Sequence, residues 1–191
     1  MIIDAFLSFL LEYNRKVNLV SRHSTPASLA ALVSETLLLK GLVSTPMVID
    51  AGSGGGLLGI PLAISLPEKE FILVETIHKK TVFLRDALRH LGLANAAVHE
   101  GALQEFMHRH DRPQSTLAAR GFPRIEVLTE FLARGKVREL LLISSVDKMR
   151  KIEIEMEIIR QTRYNIPSRD NLVVFKLENV SRETRGPWVK S

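Results

Sequence analysis

The stretch Met47-Val48-Ile49-Asp50-Ala51-Gly52-Ser53-Gly54-Gly55-Gly56-Leu57-Leu58-Gly59 decides how the rest of the chain is read. Met47–Ala51 is a short apolar run that ends in glycines, which predicts a buried strand. The apolar segment Leu57–Ser65 beyond the glycines predicts a helix. The glycines between them supply the backbone freedom that a sharp strand-to-helix turn requires.

Downstream the same texture repeats. Glu70–Glu75 predicts a second strand, and Lys79–Leu91 a helix with Val82, Phe83, Ala87, Leu88 and Leu91 facing inward before Gly92 ends it. Ala96–His99 predicts a third strand, Leu103–His110 a short helix, and Ser115–Ala119 a fourth strand. A helix is expected over Ile125–Ala133, a fifth strand over Leu140–Ser144 and a long helix over Asp147–Arg160. Gln161–Ile166 and Asn171–Leu177 flank the turn-forming Pro167-Ser168-Arg169-Asp170, which predicts an antiparallel hairpin.

Upstream, Ile3, Phe6, Leu7, Leu10 and Leu11 share one face of a helix over residues 2–16. A second helix is expected to start at Pro26 behind an N-cap at Thr25, to run to about Lys40 and to stop at Gly41. Strands alternating with helices predict an α/β fold: a doubly wound, mostly parallel seven-stranded sheet with a C-terminal antiparallel hairpin and an N-terminal helical extension. The divisions expected are the extension over 1–44, the main domain over 45–180 and a mobile basic tail over 181–191.

Composition narrows the function classes. The 191 residues suffice for one sizeable domain, and 46% hydrophobic with 25% charged residues is ordinary for a globular chain. There are no cysteines, so a disulfide framework and a thiolate metal site are excluded. No metal is expected. Met1–Leu7 lacks the basic segment of a signal peptide, and no apolar run approaches the roughly 18 residues of a membrane span, so a cytoplasmic protein with no membrane partner is expected. The net charge of +5 inclines the reading toward a polyanionic partner.

Three readings compete for the glycine loop. A phosphate loop needs a Lys after its last glycine, and none is present. Gly54-x-Gly56-x-x-Gly59 fits the dinucleotide spacing, with Glu75 where a ribose-binding acid would lie. Asp50-Ala51-Gly52-Ser53-Gly54 fits the D-x-G-x-G loop of S-adenosylmethionine enzymes. Asp50 tips the balance, because a carboxylate there suits a ligand carrying a sulfonium and an ammonium and would be repelled by a pyrophosphate. Glu75 can accept both ribose hydroxyls of either cofactor.

The run Asp50–Ile64, and above all its continuation Gly59-Ile60-Pro61-Leu62-Ala63-Ile64, resembles the D-V-G-[ST]-G-x-G-[FL]-P-G-I-P-L-A-I segment of the RsmG/GidB family. Glu12-Tyr13-Asn14-Arg15-Lys16-Val17-Asn18-Leu19 is similar to the family's Y-N-[KR]-x-x-N-L-T. Leu73–Leu84 is similar to L-L-D-S-x-x-K-R-x-x-F-L, Ala119-Arg120-Gly121-Phe122 to S-R-A-[FV], and Tyr164-Asn165-Ile166-Pro167 with Leu172–Lys176 to the C-terminal hairpin. The resemblance covers about residues 10–177. It implies a class I, Rossmann-like, S-adenosylmethionine-dependent methyltransferase acting on guanine N7 of small-subunit ribosomal RNA.

Carried over by residue, the resemblance implies that Gly52 and Leu57 line the methionine end of the cofactor and that Glu75 meets the ribose. Leu103 and Gln104 would flank the adenine, and Arg120 would reach the cofactor or the substrate. The cofactor-binding set is thus Asp50, Gly52, Ser53, Gly54, Gly56, Leu57, Glu75, Leu103, Gln104 and Arg120, with Arg120 also the catalytic candidate. The chain departs from the family pattern at Ala102, where an Arg is usual, at Gln104, where an acid is usual, and at Ser144, where a Lys is usual. Ala31-Leu32 likewise replaces an Arg-His pair, with Ser34-Glu35 further on.

Guanine N7 carries a lone pair and no proton, so its methylation requires placement and no general base. The missing His–Asp or Cys pair therefore fits this chemistry and argues against a hydrolase. Arg15, Lys16, Arg22, Lys79, Lys80 and Arg124 are the candidate RNA contacts. The partner expected is ribosomal RNA or the small ribosomal particle, bound by a monomer. Arg120 has a plainer alternative role as ion-pair partner of Glu75 or Asp50. A diverged, non-catalytic binding module is the alternative that rests on Ala102, Gln104 and Ser144. A nicotinamide oxidoreductase is disfavoured by Asp50 and by the lack of a Tyr-x-x-x-Lys pair.

Overall fold

A computed structural model describes residues 2–145, 159–165 and 172–179 of the chain. Its centre is a seven-stranded sheet in the order β3-β2-β1-β4-β5-β7-β6. The strands are β1 (Met47–Ala51), β2 (Glu70–Glu75), β3 (Ala96–Glu100), β4 (Ser115–Arg120), β5 (Glu139–Ser145), β6 (Ile159–Asn165) and β7 (Leu172–Asn179). The first five are parallel, and β7 runs antiparallel to both β5 and β6. After β3 the chain crosses back to lay β4 on the other side of β1, and this reversal opens a crevice at the carboxyl ends of the strands.

Helices cover both faces because the central strands are apolar on both. Val48, Phe71, Leu73, Ala118 and Leu141 point to one side, and Ile49, Val74, Leu117, Ala119 and Leu142 to the other. The first side packs against α1 (Ile2–Asn14), α2 (Pro26–Leu37), α3 (Gly59–Ser65) and α4 (His78–His90). The second packs against α5 (Leu103–Arg109) and α6 (Ile125–Ala133). Near-continuous burial along β1, β4 and β5 is what a parallel sheet covered on both faces demands.

Phe6, Leu7 and Leu10 of α1 and Leu29 and Val33 of α2 are buried in the same cluster as Phe83 and Leu84 of α4. The helical extension therefore shares one continuous core with the sheet. Its start signals act as the sequence predicts: Thr25 Oγ1 accepts from Ser28 N at 3.1 Å, Ser28 Oγ accepts from Thr25 N at 2.9 Å, and Pro26 occupies the first turn.

Some boundaries differ from expectation. The second helix ends at Leu37 and tightens into a 3₁₀ turn over Leu38–Leu42 instead of continuing to Lys40. The third begins at Gly59, because the positive φ of 73° at Gly56 keeps the chain out of helix until Asp50 Oδ2 has taken the Gly59 amide. The long helix expected over Asp147–Arg160 lies outside the described residues except at its end, where Ile159 and Arg160 pair with Asn179 and Glu178 as the start of β6. The hairpin turn Pro167–Asp170 and the tail 181–191 also lie outside the described residues.

Candidate functional site

The loop after β1 turns back across the end of β2. The amides of Gly52 and Ser53 both donate to Val74 O, at 2.9 and 3.1 Å, so the loop continues the sheet ladder before it leaves it. Gly52, Gly54 and Gly56 have φ of 71°, 56° and 73°, a region closed to most side chains. At Gly52 a Cβ would also stand 3.3 Å from the Phe122 ring, which packs onto the loop from beyond β4. Ser53 Oγ donates to Asp50 O at 3.0 Å and is buried inside the turn.

Asp50 is buried, and its Oδ2 accepts from Gly59 N at 3.0 Å. Burial pushes its carboxyl up to about 7. The Ser53 hydroxyl and the Gly59 amide offset part of that rise, and the Glu75 charge adds to it. Asp50 borders a small hollow of about 180 Å³ together with Gly52–Gly55, Leu57, Leu58, Leu19, Val20 and Arg120. Its side-chain partner is thus the start of α3, a structural role that the spacing of the glycine motif does not indicate.

Glu75 ends β2 and is almost fully buried. Oε2 accepts from Gly54 N at 2.9 Å, while Oε1 accepts from the Thr76 and Ile77 amides, each at 2.9 Å. Hydrogen bonds to a charged group contribute roughly 1.5–3 kcal/mol each, so this carboxylate clamps the glycine loop to the next strand end. It borders a larger cleft of about 440 Å³ that also touches Gly52, Leu103, Gln104 and Arg120. The apolar wall of the cleft comes from Val74, Ile77, Leu103 and Phe122, and Lys80 and Arg124 add cations to its lining.

Arg120 ends β4 and borders both the cleft and the hollow. It pairs with neither Glu75 nor Asp50. Its Nη2 lies 2.5 Å from Glu35 Oε2 on α2, and its Nη1 reaches Leu32 O at 3.4 Å. The pair is largely enclosed, with side-chain exposures of 17% for Arg120 and 10% for Glu35.

With this geometry in view, the match to known proteins is direct. The GidB family model, rRNA small subunit methyltransferase G, matches residues 2–171. The chain belongs to this family. A Brachyspira hyodysenteriae protein named ribosomal RNA small subunit methyltransferase G is 32% identical over 93% of the chain and 84% of its own length. A Marinobacter nauticus protein of the same name is 36% identical over 65% of the chain. The chain spans only 57% of that relative, and about half of several others. Among solved structures, an O-methyltransferase from Bacillus cereus in complex with SAH has a TM-score of 0.68 at 14% identity, covering 92% of this chain and 90% of that one. The fold is that of class I methyltransferases, as expected.

Within this GidB-family chain the structure gathers Gly52, Glu75, Leu103, Gln104 and Arg120 around one cleft and Asp50, Ser53, Gly54 and Leu57 around the adjoining hollow. Gly56 borders neither, and a Cβ there would meet Ile60 Cδ1 at 2.6 Å, so packing alone requires a glycine at this position. Of the six candidate RNA contacts, Lys80 and Arg124 border the cleft. Lys16, Arg22 and Lys79 are exposed outside it, and Arg15 borders a separate hollow with Ser8, Leu11 and Glu12. Ala102 lines the cleft, whereas Ser144 is buried in β5.

Five residues shape the site without having been assigned a place there from the sequence: Leu19, Val20, Asn14, Phe122 and Glu35. Leu19 and Val20 press on the glycine loop: at Gly55 a Cβ would stand 3.2 Å from Val20 and 3.3 Å from Leu19 O. They are held there by Asn14 Oδ1, which accepts from both of their amides at 2.8 and 3.0 Å. The Y-N-R-K-V-N-L stretch carried that signal, since an Asn closing a helix commonly caps the turn that follows. Phe122, against Gly52, and Glu35, paired with Arg120, complete the set, and nothing local in the sequence marks either contact.

Proposed function

We propose that the chain is an S-adenosylmethionine-dependent methyltransferase that modifies N7 of a guanine in small-subunit ribosomal RNA. The observation that carries this reading is Glu75 clamping the Gly54 amide beside an apolar-walled cleft, in a chain with a family match from residue 2 to 171. Glu75 Oε2 holds a single amide, so it retains capacity for a ribose hydroxyl. Leu103 and Ile77 supply the flat apolar contact that suits an adenine, with Gln104 at its edge. Gly52 and Leu57 allow close approach at the methionine end. S-adenosylmethionine bound there supplies an electrophilic methyl on its sulfonium.

The residues of the chain need only hold the acceptor in line, because guanine N7 has no proton to remove. Placement of this kind is worth roughly 7–11 kcal/mol of a barrier. Arg120, between cleft and hollow, is the catalytic candidate: it can donate to the acceptor nucleotide while touching the cofactor region. Lys80 and Arg124 suit phosphates at the cleft, with Arg15, Lys16, Arg22 and Lys79 as outer contacts. The extension 1–44 serves as a wall of the site, followed by the main domain 45–180 and the tail 181–191. The reading implies a cytoplasmic monomer acting on RNA or the ribosomal particle.

The test is transfer of a labelled methyl group to small subunits from a strain that lacks this modification, followed by mass spectrometry of the nucleosides. Label in 7-methylguanosine is the expected result. Label in any other nucleoside, or none, refutes the reading.

A further inference from the structure

Arg120 presents a physical difficulty that Glu35 resolves. A guanidinium is always charged, and this one borders both the cleft and the hollow. A methyl donor carries a fixed positive charge on sulfur, and its demethylated product does not. In a partly dry site an unbalanced guanidinium would repel the donor and leave the neutral thioether alone. Glu35 lies 2.5 Å from Arg120 Nη2 and is itself buried, so solvent does little to weaken the pair.

The helix that carries Glu35 is fixed to the glycine loop independently. Thr36 Oγ1, fully buried, shares its proton between Leu57 O at 3.0 Å and Leu32 O at 3.1 Å. Successive residues of α2 thus hold the loop and the arginine. The guanidinium keeps further N–H donors beyond its contacts to Glu35 and Leu32.

We propose that Glu35 is a positioning residue that cancels the charge of Arg120, so that the arginine can serve the site without discriminating against a cationic methyl donor. The proposal rests on the methyltransferase reading above and names a specificity device for it. Nothing local in the sequence indicates the pair, since its members lie 85 residues apart.

The experiment compares the affinities of S-adenosylmethionine and S-adenosylhomocysteine by calorimetry on the full chain. Glu35→Gln is expected to weaken the donor relative to the product on the order of tenfold, the effect of one uncompensated charge within the site. Arg120→Met, which leaves the anion unopposed, should shift the same ratio toward the donor. The double variant Glu35→Gln/Arg120→Met should return it to the wild-type value. A simple tie between α2 and β4 would weaken both ligands alike in all three variants, and that result overturns the proposal. If Glu35→Gln fails to fold, the direction of the Arg120→Met shift decides alone. Failure of both ligands to bind the wild-type chain at millimolar concentration instead refutes the methyltransferase reading beneath it.

Discussion

The two ends of the sheet each bury a carboxylate, and they treat it in opposite ways. At the carboxyl end Asp50 receives the Gly59 amide on its side chain and is pushed up to about 7 by burial. At the other end Glu139, fully buried at the start of β5, receives Ser44 N at 2.9 Å, Ser44 Oγ at 2.6 Å, Thr116 Oγ1 at 2.5 Å and Lys176 Nζ at 3.1 Å. Burial also pushes Glu139 up, but those four donors outweigh it and hold the carboxyl below its ordinary value. Lys176 responds in kind: burial lowers it, and its bonds to Glu139 and Glu178 raise it more. The molecule closes its polar chemistry at one end of the sheet and leaves capacity open at the other. The Glu139 end is saturated, and the Asp50 end borders a hollow and a cleft.

If this contrast is right, changes at the saturated end should alter stability and spare methyl transfer. Glu139→Gln is expected to cost roughly 3 kcal/mol in denaturant unfolding, because it leaves Lys176 with a weakened partner in a buried site. Activity per folded molecule should stay at the wild-type level. Comparable activity loss would erase the division between the two ends.

At the open end the sign reverses. Arg120→Ala should lower kcat/KM for methyl transfer about a hundredfold, the typical loss for one positioned donor. A variant retaining full rate would remove Arg120 from the catalytic candidates.

The contrast between the two ends extends to pH through Asp50. Its carboxyl is raised from an ordinary 3.8 to about 7, so its contribution to stability is fully present below pH 3.8 and is lost as pH rises through about 7. Wild-type stability should therefore fall by about 2 kcal/mol between pH 5 and 8 relative to Asp50→Asn. Parallel stability–pH curves for the two proteins would contradict the raised carboxyl.

The smallest effect belongs to Gly52→Ala, where a positive φ and the Phe122 ring oppose a side chain. Donor affinity should drop on the order of tenfold, since left-handed backbone costs roughly 1–2 kcal/mol for a residue with a Cβ. An unchanged calorimetric Kd would mean that the loop does not approach the cofactor closely.

Much of this architecture was legible before the structure. Met47–Ala51, Glu70–Glu75 and Ile125–Ala133 have the boundaries that their apolar periodicity predicts. These elements read clearly because a buried parallel strand and an amphipathic helix each impose a local pattern. The glycine loop and the place of Glu75 at the end of β2 were legible for a similar reason, because the apolar runs before them mark where the strands end, but the bond from the Gly54 amide to Glu75 was not. Boundaries failed where a distant partner decides them. The start of α3 depends on the Asp50 side chain, and the start of β6 on Asn179 and Glu178.

Local patterns in the chain set the order of its described strands and helices, the glycine turn after β1 and the family to which it belongs. Each is written in neighbouring residues. Only in three dimensions does Arg120 answer to Glu35 and not to Glu75 or Asp50, does the Phe122 ring crowd Gly52, and do Leu19 and Val20 press on Gly55. Those contacts join residues far apart in the chain. They arise where the sheet reverses direction and the N-terminal helices fold back over its end, which no local period encodes.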